Sequence, residues 1–295
     1  MFAQFIGEYL ISNNLISKEQ FVEILEEQNS SRVKLGLIAV SEKMLTQAQA
    51  DKINMLQSTM DKRFGDIAVE QGLLTDEQVG TLLKLQGNAY LKFIQTLVDK
   101  GIMTLEQIEK FLSDYKNAND LSFEDIESLK SDDIDRIINV FIKTGNKHYD
   151  EYIGLMIRNI VRFIDSSISF GSPVSTTTYK AHKLGSQCIK GDLNIFAGFS
   201  GNDNNLLAIA NAYAKEEFPA VDEDAYDSVC EFINCVNGLF ASKLSNEDVD
   251  VDMLPPVSYD DVTLKSDNNF YVVPIKINMV DVDLVIGINS AIVAE

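Results

Sequence analysis

Glu231 and Asn234 lie one helical turn apart in the run Asp227-Ser228-Val229-Cys230-Glu231-Phe232-Ile233-Asn234-Cys235-Val236-Asn237-Gly238. At about 100° per residue, Asp227, Glu231, Asn234 and Gly238 share one narrow stripe of a helix. Val229, Ile233, Val236 and Phe240 centre on the opposite face. Such a helix packs by its apolar side and offers a carboxylate and a carboxamide to solvent. Asn and Gly inside a helix each cost from several tenths to about 1 kcal/mol relative to Ala. Their place on the outward stripe therefore asks for a reason. An isolated Glu-x-x-Asn is ordinarily a solvated face, so its surroundings decide what it means. Neighbouring chemistry of other kinds is sparse. His148, His182, Cys188, Cys230 and Cys235 show no zinc spacing. Three cysteines make no disulfide framework in a chain of this size, and free thiols are expected.

The elements that must hold this helix are legible around it. Residues 152–163 carry a helical apolar stripe through Ile153, Met156, Ile157, Ile160 and Val161, ended by Gly171, Ser172 and Pro173. Residues 175–179 are β-branched and strand-like, and 193–199 read as a second strand opened by Gly191-Asp192. Helices follow at 204–217 and about 225–244, then strands at 270–277 and 282–288 across a short turn. Pro274 predicts an edge or bulged position. The order α-β-β-α-α-β-β predicts an α+β domain, a mostly antiparallel sheet with helices packed on a face.

Asp-x-x-x-Glu-x-x-Asn followed by Pro256 resembles the signature of the CheC, CheX and FliY phosphatases. Twenty-one residues separate Asn234 from Pro256, one fewer than in the family pattern. Gly191-Asp192-Leu193-Asn194-Ile195 resembles the family's first core strand. Pro274-Ile275-Lys276-Ile277 and Val282-Asp283-Leu284-Val285-Ile286-Gly287-Ile288 resemble its closing hairpin. The resemblance covers about 147–295. It implies a phosphatase acting on the aspartyl phosphate of a CheY-like response regulator in chemotaxis or motility signalling. Glu231 would pair with the receiver's active-site lysine, and Asn234 would orient the attacking water. Asp227 and Gly238 would contact the receiver. The chain would need no cofactor of its own, with Mg²⁺ carried by the receiver. Residues 204–217 hold no second Glu-x-x-Asn pair, which is the CheX rather than the CheC arrangement. A homodimer formed through the sheet is also implied. The alternative is a receiver-binding adaptor without catalysis, or a scaffold responsive to cyclic di-GMP.

The first part of the chain repeats. Segments 5–28, 34–57, 63–86 and 92–115 align without a gap, and Ser17, Thr46, Thr75 and Thr104 stand 29 residues apart. Gln20, Gln49, Gln78 and Gln107 keep the same step, as do Gly7, Gly36 and Gly65, with Ile94 breaking the last series. Ser/Thr followed three residues later by Gln is a capping box. Ile16, Leu45, Leu74 and Met103 precede the caps and can staple to Phe21, Ala50, Val79 and Ile108. Each segment predicts a short helix, a turn and a capped second helix, marginal alone and stacked with its neighbours. The pattern resembles the MshEN domain of type II secretion and pilus ATPases, through Arg63-Phe64-Gly65, Gly72-Leu73-Leu74, Gln78-Val79 and Gln86. That resemblance implies cyclic di-GMP binding through Lys34, Gly36, Arg63 and Gly65. Only one of the four segments opens with Arg.

The expected organisation is an all-α repeat domain at 1–116, a polar connector at 117–146 and the α+β domain at 147–295. The connector is partly helical, with Ser131-Asp132-Asp133 able to cap residues 134–143. The net charge is −20 over 295 residues. Residues 1–147 hold 16 basic and 23 acidic side chains (net −7), and 148–295 hold 9 and 22 (net −13). Phosphate-backbone binding needs clustered Lys and Arg, so nucleic acid is not an expected partner, nor is an anionic membrane surface. There is neither an apolar run of membrane-spanning length nor the basic and apolar start of a signal peptide, so a cytoplasmic location without membrane insertion is expected.

Overall fold

The computed structural model describes residues 1–28, 32–57, 59–60 and 62–295. The chain divides into two compact units, Phe2–Asp133 and Ile134–Glu295.

Among its described residues the first unit is all helix: α1 (Phe2–Ser12), α2 (Lys18–Gln28), α3 (Leu35–Ser41), α4 (Gln47–Gln57), α5 (Phe64–Glu70), α6 (Asp76–Leu85), α7 (Ala89–Asp99), α8 (Leu105–Ala118) and α9 (Phe123–Lys130). The starts of α2, α4, α6 and α8 are 29 residues apart. Each is opened by a two-way cap. Gln20, Gln49, Gln78 and Gln107 accept from the backbone N–H of Ser17, Thr46, Thr75 and Thr104, each at 2.8 Å. Their own N–H groups donate to the hydroxyls at 3.2–3.3 Å. Two otherwise orphaned donors per helix are thereby satisfied. Ser122 and Asp125 form a further box at α9. Ile16, Leu45, Leu74 and Met103, just ahead of the caps, are buried.

The spaced glycines have a steric cause. A Cβ on Gly65 would stand 2.8 Å from Val79 Cγ1, and one on Gly7 would enter the Phe21 ring. On Gly36 it would stand 3.0 Å from the Phe64 ring and 3.7 Å from Ala50 Cβ. Phe21, Ala50 and Val79 each lie 14 residues after their glycine. The bare backbone lets the second helix of each pair close onto the first. Further glutamines fasten distant segments: Gln86 Nε2 donates to Val33 O at 2.6 Å, and Gln95 Oε1 accepts from Lys34 N at 2.6 Å.

The second unit holds α10 (Ile134–Phe141), α11 (Lys147–Phe163), β1 (Ser169–Phe170), β2 (Val174–Gly191), β3 (Ile195–Gly201), α12 (Asp203–Ala214), α13 (Glu223–Ser245), β4 (Val251–Met253), β5 (Val257–Ile277), β6 (Val280–Ile288) and β7 (Val293–Ala294). The stretch expected as a connector thus contains α9 and α10, which fall in different units. Every strand pair is antiparallel, in the order β1-β5-β6-β3-β2-β4. β5 also pairs with β2, so β5, β6, β3 and β2 close a ring. β2 and β5 extend far beyond the strands expected at 175–179 and 270–277, because the lengths beyond those segments pair with each other, as in Ala181 with Val262 and Leu184 with Tyr259. β6 follows β5 through Asn278 and Met279, both at positive φ (49° and 68°), the backbone a two-residue hairpin favours. Pro274 sits where β5 changes partners. β2 pairs up to Val272 and β1 begins at Ile275. Gly171 N donates to Pro274 O at 2.9 Å, so its missing N–H faces that gap in the ladder.

Candidate active site on the long helix

α13 is started by Asp222, whose side chain accepts from Ala225 N at 3.1 Å. Its inner face buries Val229, Phe232, Ile233, Val236, Phe240 and Leu244. Phe232 stacks on Phe199 of β3 at 5.9 Å between centroids, and Phe240 meets the edge of Tyr152 on α11 at 5.1 Å. Gly185 of β2 lets the helix sit low on the sheet, since a Cβ there would stand 3.1 Å from Val229 Cγ1. Near its start, the Tyr226 hydroxyl donates to Asp260 Oδ1 at 2.5 Å and reaches Tyr259 O at 3.2 Å. That hydrogen bond, then Lys183 at 2.9 Å, holds the Asp260 carboxyl below its ordinary value.

The stripe expected to face outward does so in part. Asp227 and Glu231 are exposed, and Asn234 and Gly238 are half-buried. Asn234 Nδ2 stands 3.5 Å from Glu231 Oε2. Asn234 is also tied inward: its Oδ1 accepts from Gln187 Nε2 of β2 at 2.8 Å. Gln187 Nε2 donates as well to Leu254 O at 2.9 Å, and its Oε1 accepts from Asn237 Nδ2 at 2.8 Å. Asn237 Oδ1 takes the hydroxyl proton of Tyr152 at 2.6 Å. Burial pushes the Tyr152 hydroxyl far above its ordinary pKa, so it remains a donor. Gln187 and Asn237 were not legible as site residues. Asn237 carried one signal, an amide at a helix-interior position beside the apolar face. Gln187 lies in a stretch of β2 with no alternating pattern to mark it.

Gly238 has room. The nearest atom to a Cβ there is Met253 Cε at 3.9 Å, so nothing within the chain requires its bare backbone. Cys230 is buried, which pushes its thiol up to about 11 and leaves it a poor nucleophile at neutral pH. Among the described residues, no group of three or more His, Cys, Asp or Glu could hold a metal ion. No helix of the described chain is long and apolar enough to cross a membrane.

The four residues singled out in the helical unit lie at helix starts. Lys34 and Arg63 are the residues ahead of α3 and α5. Lys34 Nζ pairs with Asp99 Oδ1 at 2.8 Å. Gly36 and Gly65 face their partner helices.

Residues 184–276 match the family model described as chemotaxis phosphatase CheX. The matched stretch lies within the second unit and includes Gln187, Glu231, Asn234 and Pro256. Similar solved structures include a chemotaxis protein CheX from Desulfovibrio desulfuricans, 15% identical, covering 47% of this chain and 96% of that one at a TM-score of 0.41. Another is chemotaxis protein CheX from Vibrio vulnificus, 16% identical, covering 47% and 99% at a TM-score of 0.39. A third is a CheX-CheY-BeF3-Mg²⁺ complex from Borrelia burgdorferi, 14% identical, covering 46% and 94% at a TM-score of 0.37. No curated protein matches the sequence significantly.

Proposed function

We propose that the second unit hydrolyses the aspartyl phosphate of a CheY-like receiver domain in chemotaxis or motility signalling. The observation that carries this reading is the Glu231–Asn234 pair. It lies on a long helix within the CheX match, with the Asn amide hydrogen-bonded from behind. α13 docks beside the phosphorylated aspartate. Glu231 pairs with the receiver's lysine, and Asn234 orients a water in line with phosphorus. The water oxygen bonds to phosphorus, the bond to the aspartyl oxygen breaks, and the carboxylate leaves with its electron pair. Inorganic phosphate and a proton are released. Mg²⁺ and the acyl phosphate belong to the receiver. This chain contributes positioning, which alone can be worth several orders of magnitude in rate. The open space at Gly238 supports a partner surface closing directly onto the helix backbone.

The test is phosphate release from a receiver phosphorylated with acetyl phosphate. Asn234→Ala is expected to lower the rate constant at saturation on the order of 100-fold, with receiver binding nearly unchanged. Glu231→Ala weakens both, because its charge pair forms on docking. Wild-type turnover by folded Asn234→Ala protein contradicts the mechanism. Binding without any phosphate release by the native protein identifies a receiver-binding adaptor instead.

A further inference from the structure

We propose that Gln187 is a positioning residue for Asn234, setting both the tilt and the flip of its amide. The catalytic meaning of this rests on the phosphatase reading above; the geometry does not. Gln187 is 3% exposed and Asn237 and Tyr152 are 0% exposed, so the line Tyr152–Asn237–Gln187–Asn234 runs through the interior and ends at the surface.

The line has a direction, and one backbone group fixes it. Leu254 O can only accept, so Gln187 must turn its N–H₂ toward it. The same Nε2 lies 2.8 Å from Asn234, which must therefore present Oδ1 inward. Gln187 Oε1 then faces Asn237 Nδ2, and Asn237 Oδ1 faces the Tyr152 hydroxyl, which donates. The opposite flip at any member sets two acceptors or two donors against each other in a buried place, which leaves desolvated polar groups unpaired. Asn234 is left with its N–H₂ pointing outward toward Glu231 and one free Oδ1 lone pair. An amide on a solvated helix face would otherwise rotate freely. Here it is held before any partner arrives, so no ordering is required at the moment of reaction.

Two variants of the full chain separate positioning from mere packing. Gln187→Met keeps length and loses both polar ends. Gln187→Glu still accepts from Asn237, but it donates to Asn234 only while its carboxyl is protonated. With a receiver phosphorylated by acetyl phosphate, Gln187→Met is expected to lower kcat about tenfold or more with KM within twofold. Gln187→Glu is expected to gain a pH dependence, its kcat falling relative to wild type as pH rises. Nuclear magnetic resonance reads the Asn234 side-chain amide independently of activity: two sharp, separated N–H signals in the native protein, averaged or shifted in both variants. Wild-type kcat at every pH in both variants, or unchanged Asn234 amide signals, overturns the assignment. Should Gln187→Met fail to fold, the near-isosteric Gln187→Glu decides. Should native protein release no phosphate from any receiver, the phosphatase reading fails, and the amide signals still decide whether Gln187 holds Asn234.

Discussion

The four cap glutamines of the helical unit and Gln187 of the sheet unit do opposite work. In the helical unit Gln20, Gln49, Gln78 and Gln107 reach three residues back and close a cap. In the sheet unit Gln187 reaches across 47 positions of sequence to Asn234. The first arrangement forms within one turn of chain and shapes only its own helix. The second exists only after β2, α13 and the segment at Leu254 have all come together. The cap glutamines of the first unit therefore specify local structure, whereas Gln187 in the second specifies the outward geometry of a site.

Mutations can strain this contrast from both sides. The largest stability effect is expected at Gly65. Gly65→Leu drives a side chain into Val79, which already lies 2.8 Å from where a Cβ would be. A loss of about 3 kcal/mol is expected in the helical unit, read by chemical denaturation, with a native-like rate of receiver dephosphorylation. A rate that falls in step with stability would show that the units are not separable in this way. Thr104→Ala removes a single cap and should cost about 1 kcal/mol. Local hydrogen exchange should rise at the start of α8 and stay constant at α2. Equal loosening of all the capped helices would mean that the caps act collectively.

Gly238→Ala tests the other unit. The added methyl has room and removes a helix-interior glycine, so stability should rise by about 0.5–1 kcal/mol. Receiver affinity should fall if a partner closes on that backbone. A stabilised variant with unchanged affinity would remove Gly238 from the docking surface. The smallest effect is expected at Asp283. Burial raises its carboxyl above the ordinary value, against a lowering from the Tyr179 hydroxyl at 2.7 Å. A raised folded-state pKa favours folding in acid, and that benefit is lost as pH rises through it. Asp283→Asn removes the buried charge. It should be more stable than wild type near neutrality, with the gain shrinking toward pH 4 in paired denaturation curves. A gain confined to acid would reverse the sign.

Much of the fold could be read in the residues because its signals are local. Ser17 and Gln20 are neighbours in sequence, and the apolar stripe of α13 repeats within one helix. The closing strands β5 and β6 are apolar enough near Val273 and Val285 to declare themselves. The outer length of β5 is not. Its Asp260-Asp261 run carries no strand signal, and it is strand only because β2 lies beside it, with Lys183 opposite Asp260. The Glu231–Asn234 stripe was legible for the same reason as the caps. The inward tether of Asn234 was not, because no periodicity encodes a contact made by Gln187 from another strand. That tether also changes the expected cost of Asn234→Ala. The lost hydrogen bond, about 1 kcal/mol, is partly offset by the better helix propensity of Ala.

The hydrogen bonds at Leu254 also bear on how the chain can vary in length. Its N–H donates to Cys188 O at 2.9 Å and its carbonyl is held by Gln187, so the path leaving α13 is moored to β2 before it reaches Pro256. Spacing from Asn234 to Pro256 is then set by two moorings rather than by a count of residues. One residue more or less in the five-residue stretch between α13 and β4 changes the closure entropy by roughly 0.2 kcal/mol. Residues 246–250, between the end of α13 and β4, are thus a splice point. A change of length there leaves both moorings, and so the aim of Asn234, in place.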